Sequence, residues 1–259
     1  IGGGTPTAIS AEQLKMIMKT ISDYIDISNV REYNVEAGRA DTITQEKLRV
    51  IKSSGADRIS VNPQTMNNNV LRIIGRNHTA EDTVRAFLSA REEGFDNINM
   101  DLIAGLPSDT AESYHQTLDR IIDLNPESIT VHTLTIKRSA KIYEDDIENY
   151  LTAPASEMVN ESIRILPENG YLPYYLYRQK NTVENLENIG FAKKGRESLY
   201  NIFIMDETQT ILGAGCAAST KIVQPNGKIT RIHNYKFPYE YINRFDDLMR
   251  KKQIIYELI

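Results

Sequence analysis

Asn97-Ile98-Asn99-Met100-Asp101-Leu102-Ile103-Ala104-Gly105-Leu106-Pro107 is the stretch on which the fold turns. Its apolar run is bounded by Gly94 on one side and by Gly105 and Pro107 on the other, which reads as a short buried strand running into a loop. A carboxylate, Asp101, stands inside that run just before the loop. An ionised side chain is costly to bury alone, so Asp101 must meet a cation, a set of donors or a ligand. In folds that alternate strands and helices, ligands collect at the carboxyl ends of the strands. The plainer alternative is a strand-end aspartate that caps the next turn.

Working outward, the pattern around this strand repeats. Upstream, Ser10 and Gln13 have capping-box spacing, and Leu14, Ile17, Met18, Ile21 and Ile25 fall on one face of a helix. A short β-prone segment, 30–35, delivers Glu36 and Gly38. A helix capped by Thr44 and stopped by Gly55 follows, and 58–64 reads as the next strand. Residues 79–93 form an amphipathic helix ended by Gly94. Downstream, a helix over 111–124 leads to a strand over 128–135. Strand and helix alternate, which implies a parallel sheet with right-handed crossovers. The repeat breaks at 139–155, where charges and Pro154 replace it. A helix near 156–166 follows, then Tyr-rich and β-like runs at 172–177, 200–205 and 221–232, the last holding the turn signal Asn226-Gly227. The expected organisation is a barrel over 1–138, a linker over 139–155 and a smaller α+β domain over 156–259.

Composition narrows the function. The chain has 259 residues, a formal charge of −5 and ordinary hydrophobic and charged fractions of 41% and 25%, which give no reason to expect nucleic acid as partner. No run approaches the roughly 18 apolar residues of a membrane helix. The single cysteine, Cys216, excludes an internal disulfide and suits a cytoplasmic location. His78, His115, His132 and His233 have no metal-ligand spacing and read as surface or hydrogen-bonding residues, so no metal ligands are assigned. The start, Ile1-Gly2-Gly3-Gly4-Thr5-Pro6-Thr7, reads as the tail of a strand entering a loop, and the expectation is a chain whose first segment is missing.

The polar groups at successive strand ends make a consistent set: the glycine-rich start, Glu36, Gln64, Asp101 and Thr135, with Arg76 soon after the third. Glycine-rich backbone offers open N–H and C=O groups. Glu36 suits an ammonium, Gln64 and Asp101 suit ribose hydroxyls, and Arg76 suits a carboxylate. Together they describe a pocket for an amino-acid nucleoside. A barrel enzyme with a phosphate-bearing substrate is disfavoured, since no phosphate-loop lysine follows the glycines.

In the ordered motifs GGGTPT (2–7), EAGR (36–39), RISVNPQ (58–64), GRNHT (75–79), DLIAGLP (101–107), VHTLTIKR (131–138), GRESLYN (195–201) and LGAGCAAS (212–219), the chain resembles the radical S-adenosylmethionine enzymes of the oxygen-independent coproporphyrinogen III oxidase family, in its HemZ-like branch. The resemblance implies an α/β fold, a partial six-stranded (β/α)6 barrel, here truncated at its N-terminus, followed by the smaller α+β domain. It implies Gly3, Gly4, Thr5, Glu36, Gln64, Arg76 and Asp101 as contacts to S-adenosylmethionine, with backbone contacts from Thr135 and Ala218. It also implies a [4Fe–4S] cluster, held by a CxxxCxxC loop that would lie upstream of Ile1. The implied reaction converts coproporphyrinogen III propionates to the vinyls of protoporphyrinogen IX, with an unidentified electron donor or acceptor as partner. The alternative is haem binding and transfer without oxidase activity. Cations next to the rim, Arg138 and Arg178, are the expected propionate contacts.

Overall fold

The stretch around Asp101 is a strand, Ile98–Ala104, in a computed structural model that describes residues 1–135 and 154–258. The chain forms two compact units, 1–198 and 199–259. In the first, the order is α1 (Ala11–Tyr24), β1 (Asn34–Gly38), α2 (Gln45–Ser53), β2 (Arg58–Val61), α3 (Asn68–Ile73), α4 (Ala80–Glu92), β3 (Ile98–Ala104), α5 (Ala111–Leu124), β4 (Ser128–Thr133), α6 (Ala155–Glu168), β5 (Leu172–Tyr177) and β6 (Asn188–Ala192). The helix starts follow the expected caps. Ser10 Oγ accepts from the Gln13 N–H at 3.2 Å while the Ser10 N–H donates to Gln13 Oε1 at 3.1 Å, and Thr44 accepts from the Lys47 N–H.

One six-stranded sheet, in the order β1-β2-β3-β4-β6-β5, carries this unit. Strands β1 to β4 are parallel, as the alternation predicts. Ile1 lies along the free side of β1: its amino group donates to the Asn34 carbonyl at 2.5 Å, and its own carbonyl accepts from the Glu36 N–H at 2.9 Å. The last two strands depart from the repeat, because β6 pairs antiparallel with both β4 and β5. Residues 156–198 thus add α6, β5 and β6 to the parallel sheet instead of opening a C-terminal domain. The division falls after Ser198 because the β4–β6 ladder ties the Tyr-rich segment to the sheet. Of the expected linker, 139–153 lies outside the described residues.

The sheet has one apolar and one polar face. Val35, Ala37, Ile59, Val61, Ile98, Met100, Leu102, Ala104, Ile129, Val131, Ile189 and Phe191 share a single buried cluster with Leu14 and Met18 of α1, Leu48 of α2, Phe87 of α4, Leu118 of α5 and Met158 of α6. Strand residues alternate between faces. Arg58, Ser60, Asn99, Asp101, Ser128, Thr130, His132, Asn188 and Gly190 therefore stand together on the opposite face, in register across β2, β3, β4 and β6. Helices cover one face with hydrocarbon, and the other is left for polar chemistry.

On β6, Gly190 faces Thr130 of β4 and Tyr175 of β5. The Tyr175 ring lies directly over it, so an added Cβ would overlap the ring. Tyr175 in turn stacks on Tyr177, with centroids 6.1 Å apart and planes 5° from parallel. Gly190→Ala should displace this pair and cost about 1–3 kcal/mol through overpacking. Urea unfolding of the variant reads that cost, while a substitution with no effect would mean that the ring does not sit where described.

The second unit holds α7 (Leu199–Asp206), β7 (Ser219–Val223), β8 (Ile229–His233), α8 (Pro238–Asn243), α9 (Phe245–Lys252) and α10 (Ile255–Leu258). The Asn226-Gly227 hairpin is present between β7 and β8, with Gly227 at φ +79° and its N–H donating to the Gln224 carbonyl at 2.9 Å. The run at 200–205, expected as a strand, is helical instead. A short continuous apolar run has no period that separates a strand from a buried helix.

Candidate functional site

Glu36 is the middle residue of β1, on its polar face, and the glycine-rich start folds back over it. A Cβ on Gly2 would lie 2.6 Å from Glu36 Oε2, so any larger residue there would push the Glu36 carboxylate aside. The Gly3 N–H bonds to the same carboxylate, and Gly3 itself sits at φ +114°. Close packing around the Glu36 carboxyl, together with the negative charge of Asp101, pushes it above the ordinary carboxylate range. It is in no salt bridge among the described residues.

Gln64 continues the β2 ladder after a left-handed step at φ 69°. Its N–H donates to the Asp101 carbonyl at 3.0 Å and its carbonyl accepts from the Ile103 N–H at 2.9 Å, which fixes it beside Asp101. A non-glycine residue in this conformation carries strain that the surrounding bonds must hold. The Gln64 side-chain amide has no hydrogen-bond partner among the described residues, although the residue is only 8% exposed.

Arg76 follows α3 in the Gly75–Thr79 loop. It makes no ion pair among the described residues. Burial and the neighbouring Arg39 lower its pKa, with Asp41 opposing them. Arg39 itself is engaged by Asp41 in a fork, Nε to Oδ1 at 3.0 Å and Nη2 to Oδ2 at 2.6 Å, whereas Arg76 is free among the described residues.

Asp101 occupies the centre. Burial alone would raise its carboxyl, but contacts from His132, Asn99 and Thr130 outweigh that and hold it below its ordinary value. Asn99 Nδ2 donates to Oδ1 at 2.7 Å. Asn99 is itself anchored, its Oδ1 accepting from Ser128 Oγ at 2.9 Å and from Thr130 Oγ1 at 3.2 Å. Arg58 closes the chain of bonds by donating to Ser128 Oγ at 2.6 Å. One polar network therefore runs from Arg58 on β2 through β4 and β3 to Asp101.

The structure thus brings together Glu36 from the middle of β1, Asp101 from the middle of β3 and Gln64 from just past β2, and sets Arg76 on the loop that follows β2 and α3. Gly3, Gly4 and Thr5 lie in the loop after the Ile1 pairing, where the Thr5 methyl would be 3.6 Å from a Cβ on Gly38. Thr135 stands just past β4, with Oγ1 donating to Gln179 Oε1 at 3.0 Å. Ala218 is not in this unit: it belongs to the second, where its N–H reaches the Gly215 carbonyl at 3.4 Å and its carbonyl accepts from the Asn234 N–H at 2.9 Å. Its small-residue loop follows a hairpin-directed fold of its own. Arg178 is exposed past the end of β5 and is paired with Glu187. Arg138 lies outside the described residues. The sequence reads His132 as a surface or hydrogen-bonding residue and does not place it beside Asp101, whose Oδ2 lies 3.7 Å from its ring. Its only early signal was strand alternation, which puts residues 128, 130 and 132 on one face.

An acceptor for an ammonium, a cation for a carboxylate, and an amide and a carboxylate for vicinal hydroxyls match an amino-acid nucleoside group by group. Residues 1–121 match the Radical SAM superfamily. The chain is 45% identical over 256 residues to the "Oxygen-independent coproporphyrinogen-III oxidase-like protein HemZ" of Bacillus subtilis, covering 97% of this chain and 51% of that protein. The chain is a radical SAM protein of the HemN/HemZ family. It is also 33% identical over 217 residues to the "Heme chaperone HemW" of Bacillus subtilis, covering 83% of this chain and 55% of that one. The solved coproporphyrinogen III oxidase (HemN) of Escherichia coli superposes with a TM-score of 0.71 at 24% identity, over 95% of this chain and 56% of that one, which bears on the fold alone. The chain spans about half the length of the relatives it matches.

Radical SAM proteins use S-adenosylmethionine and a [4Fe–4S] cluster. Glu36, which has no cation paired to it among the described residues, and the unpartnered Gln64 and Arg76 side chains fit the first. They do not fit the second, because clusters are held by cysteine thiolates and these 259 residues contain one cysteine, exposed in the second unit. No group of three or more His, Cys, Asp or Glu able to hold a metal exists among the described residues. No helix among them is long and apolar enough to cross a membrane.

Proposed function

We propose that this chain is the S-adenosylmethionine-binding part of an oxygen-independent coproporphyrinogen III oxidase, a cytoplasmic enzyme that converts propionate side chains of coproporphyrinogen III to the vinyls of protoporphyrinogen IX. The observation that carries the reading is the complementary set Glu36, Gln64, Arg76 and Asp101: among the described residues the Gln64 and Arg76 side chains have no partner, and Glu36 is held by the Gly3 N–H with no cation paired to it. Glu36 takes the ammonium, Arg76 the carboxylate, and Asp101 with Gln64 the ribose hydroxyls. Gly3, Gly4 and Thr5 admit the methionine end against backbone, and Thr135 adds a backbone contact. When bound, the nucleoside supplies the hydrogen-abstracting chemistry. The chain's own residues bind it, orient it and keep water from it.

Arg138 and Arg178 would hold substrate propionates. The Arg178–Glu187 pair is exposed, and such pairs contribute about 0–1 kcal/mol, so a propionate can replace Glu187 at little cost. The electron donor or acceptor is unassigned.

Likeness to a haem chaperone favours a second reading, haem binding and transfer by the same sheet. Anaerobic incubation of the full-length, cluster-reconstituted protein with coproporphyrinogen III, S-adenosylmethionine, a one-electron reductant for the cluster and an added electron acceptor to take up the electrons released with carbon dioxide separates them. The oxidase reading expects protoporphyrinogen and carbon dioxide in a fixed ratio. Stable haem binding with no porphyrinogen turned over would move the assignment to the chaperone reading.

A further inference from the structure

His132 is on β4, one pleat beyond Thr130, and faces the same side of the sheet as Asp101. Its Nε2 stands 3.7 Å from Asp101 Oδ2, a charge contact longer than a hydrogen bond. Its Nδ1 stands 3.4 Å from the Tyr177 hydroxyl of β5, which also receives the Gln179 side-chain N–H at 3.4 Å. Asn188 of β6 lies between the two strands in register. The row Asp101–His132–Tyr177 therefore crosses four strands on the polar face, and the His132 side chain remains 29% exposed.

We propose that His132 is a positioning residue for the nucleoside pocket: standing between Asp101 and Tyr177, it aims the Asp101 carboxylate at the ribose and offsets its charge. This rests on the nucleoside reading above. The groups facing the ring are Asp101 from β3, Glu36 from β1, Tyr177 from β5 and Asn188 from β6. Two carboxylates against one imidazole favour its cationic form. Burial alone would lower the His132 pKa, and Asp101, Asn188 and Glu36 outweigh it and raise it above the ordinary histidine value. The sign follows. The imidazolium is complete below the ordinary value and is lost as pH rises through the raised one. Without it, Asp101 faces Glu36 uncompensated, and its orienting contact is gone. A cationic ring also donates through Nδ1, which leaves the Tyr177 hydroxyl proton free for an acceptor on the bound molecule.

The test is calorimetric binding of S-adenosylhomocysteine to the full-length protein from pH 6 to pH 9. Wild type should lose affinity by about fivefold or more as pH rises, a typical coupling between linked sites. His132→Gln, which keeps an amide donor without a charge, should bind more weakly at pH 6 and show no such slope. The reciprocal reading needs no variant: saturating ligand should move the NMR titration of the His132 ring to higher pH. If wild type binds at no pH, the nucleoside reading falls, and the role of His132 with it. If wild type binds while His132→Gln keeps its affinity and pH slope, or ligand leaves the ring's titration unmoved, only the role of His132 is overturned.

Discussion

Arg58→Ala is expected to destabilise the first unit by about 3–5 kcal/mol, the scale of breaking a buried charged network. Arg58 is 2% exposed on the polar face of β2. Its Nη1 donates to Asn97 Oδ1 at 3.0 Å and to the Arg196 carbonyl at 2.9 Å, and its Nη2 donates to Ser128 Oγ at 2.6 Å. One side chain therefore ties β2 to the start of β3, to β4 and to the segment after β6. Truncation leaves acceptors buried without donors, and each such group costs about 1–3 kcal/mol. It also cuts the bonds that hold Ser128 and, through it, Asn99 beneath Asp101. Arg58→Lys should recover little, because one ammonium cannot reach three acceptors held in fork geometry. Denaturant unfolding checks this. A midpoint shift below the equivalent of about 1 kcal/mol would mean that the network adds nothing to the sheet.

How far such features could be read from the sequence depended on whether their partners were local. The Ser10–Gln13 box, the Thr44 cap and the buried run around Asp101 are set by residues within a few positions, and the structure has each of them. The clustering of Glu36, Gln64 and Asp101 was legible too, because parallel strands joined by helices bring their carboxyl ends to one rim whatever the details. The antiparallel return was not. Nothing in 188–192 says that it pairs with 128–131, sixty residues back, so by sequence alone the Tyr-rich segment reads as the start of a new domain. His132 was hidden for the same reason: its partners Asp101 and Tyr177 are adjacent only through register. Gly190 reads as one more glycine until Tyr175 is placed over it. The helix over 199–206 was obscured by an apolar run with no period to distinguish it.

Asp101→Ala should weaken S-adenosylhomocysteine binding by about 1.5–3 kcal/mol, roughly 10- to 150-fold, the value of a hydrogen bond to a charged group. Its place in the sheet makes the loss specific. Asn99 holds one carboxylate oxygen and His132 stands by the other, so Asp101 presents a fixed acceptor rather than a mobile one. The removed charge also relieves Glu36, whose carboxyl pKa should fall toward its ordinary range once Asp101 no longer repels it. Asp101→Asn keeps the shape and loses the charge, so its affinity should lie between those of wild type and Asp101→Ala. Calorimetry on the three proteins at one pH checks the order. Equal affinities would remove Asp101 from the ribose site.

The most direct measurement of the central claim is a crystal structure of the full-length protein with S-adenosylhomocysteine bound. The ligand should lie across the carboxyl ends of β1 to β4, its carboxylate at Arg76, its ammonium at Glu36 and its ribose hydroxyls on Asp101 and Gln64. Ligand density elsewhere, with those four side chains unchanged and in contact only with solvent, would contradict the account.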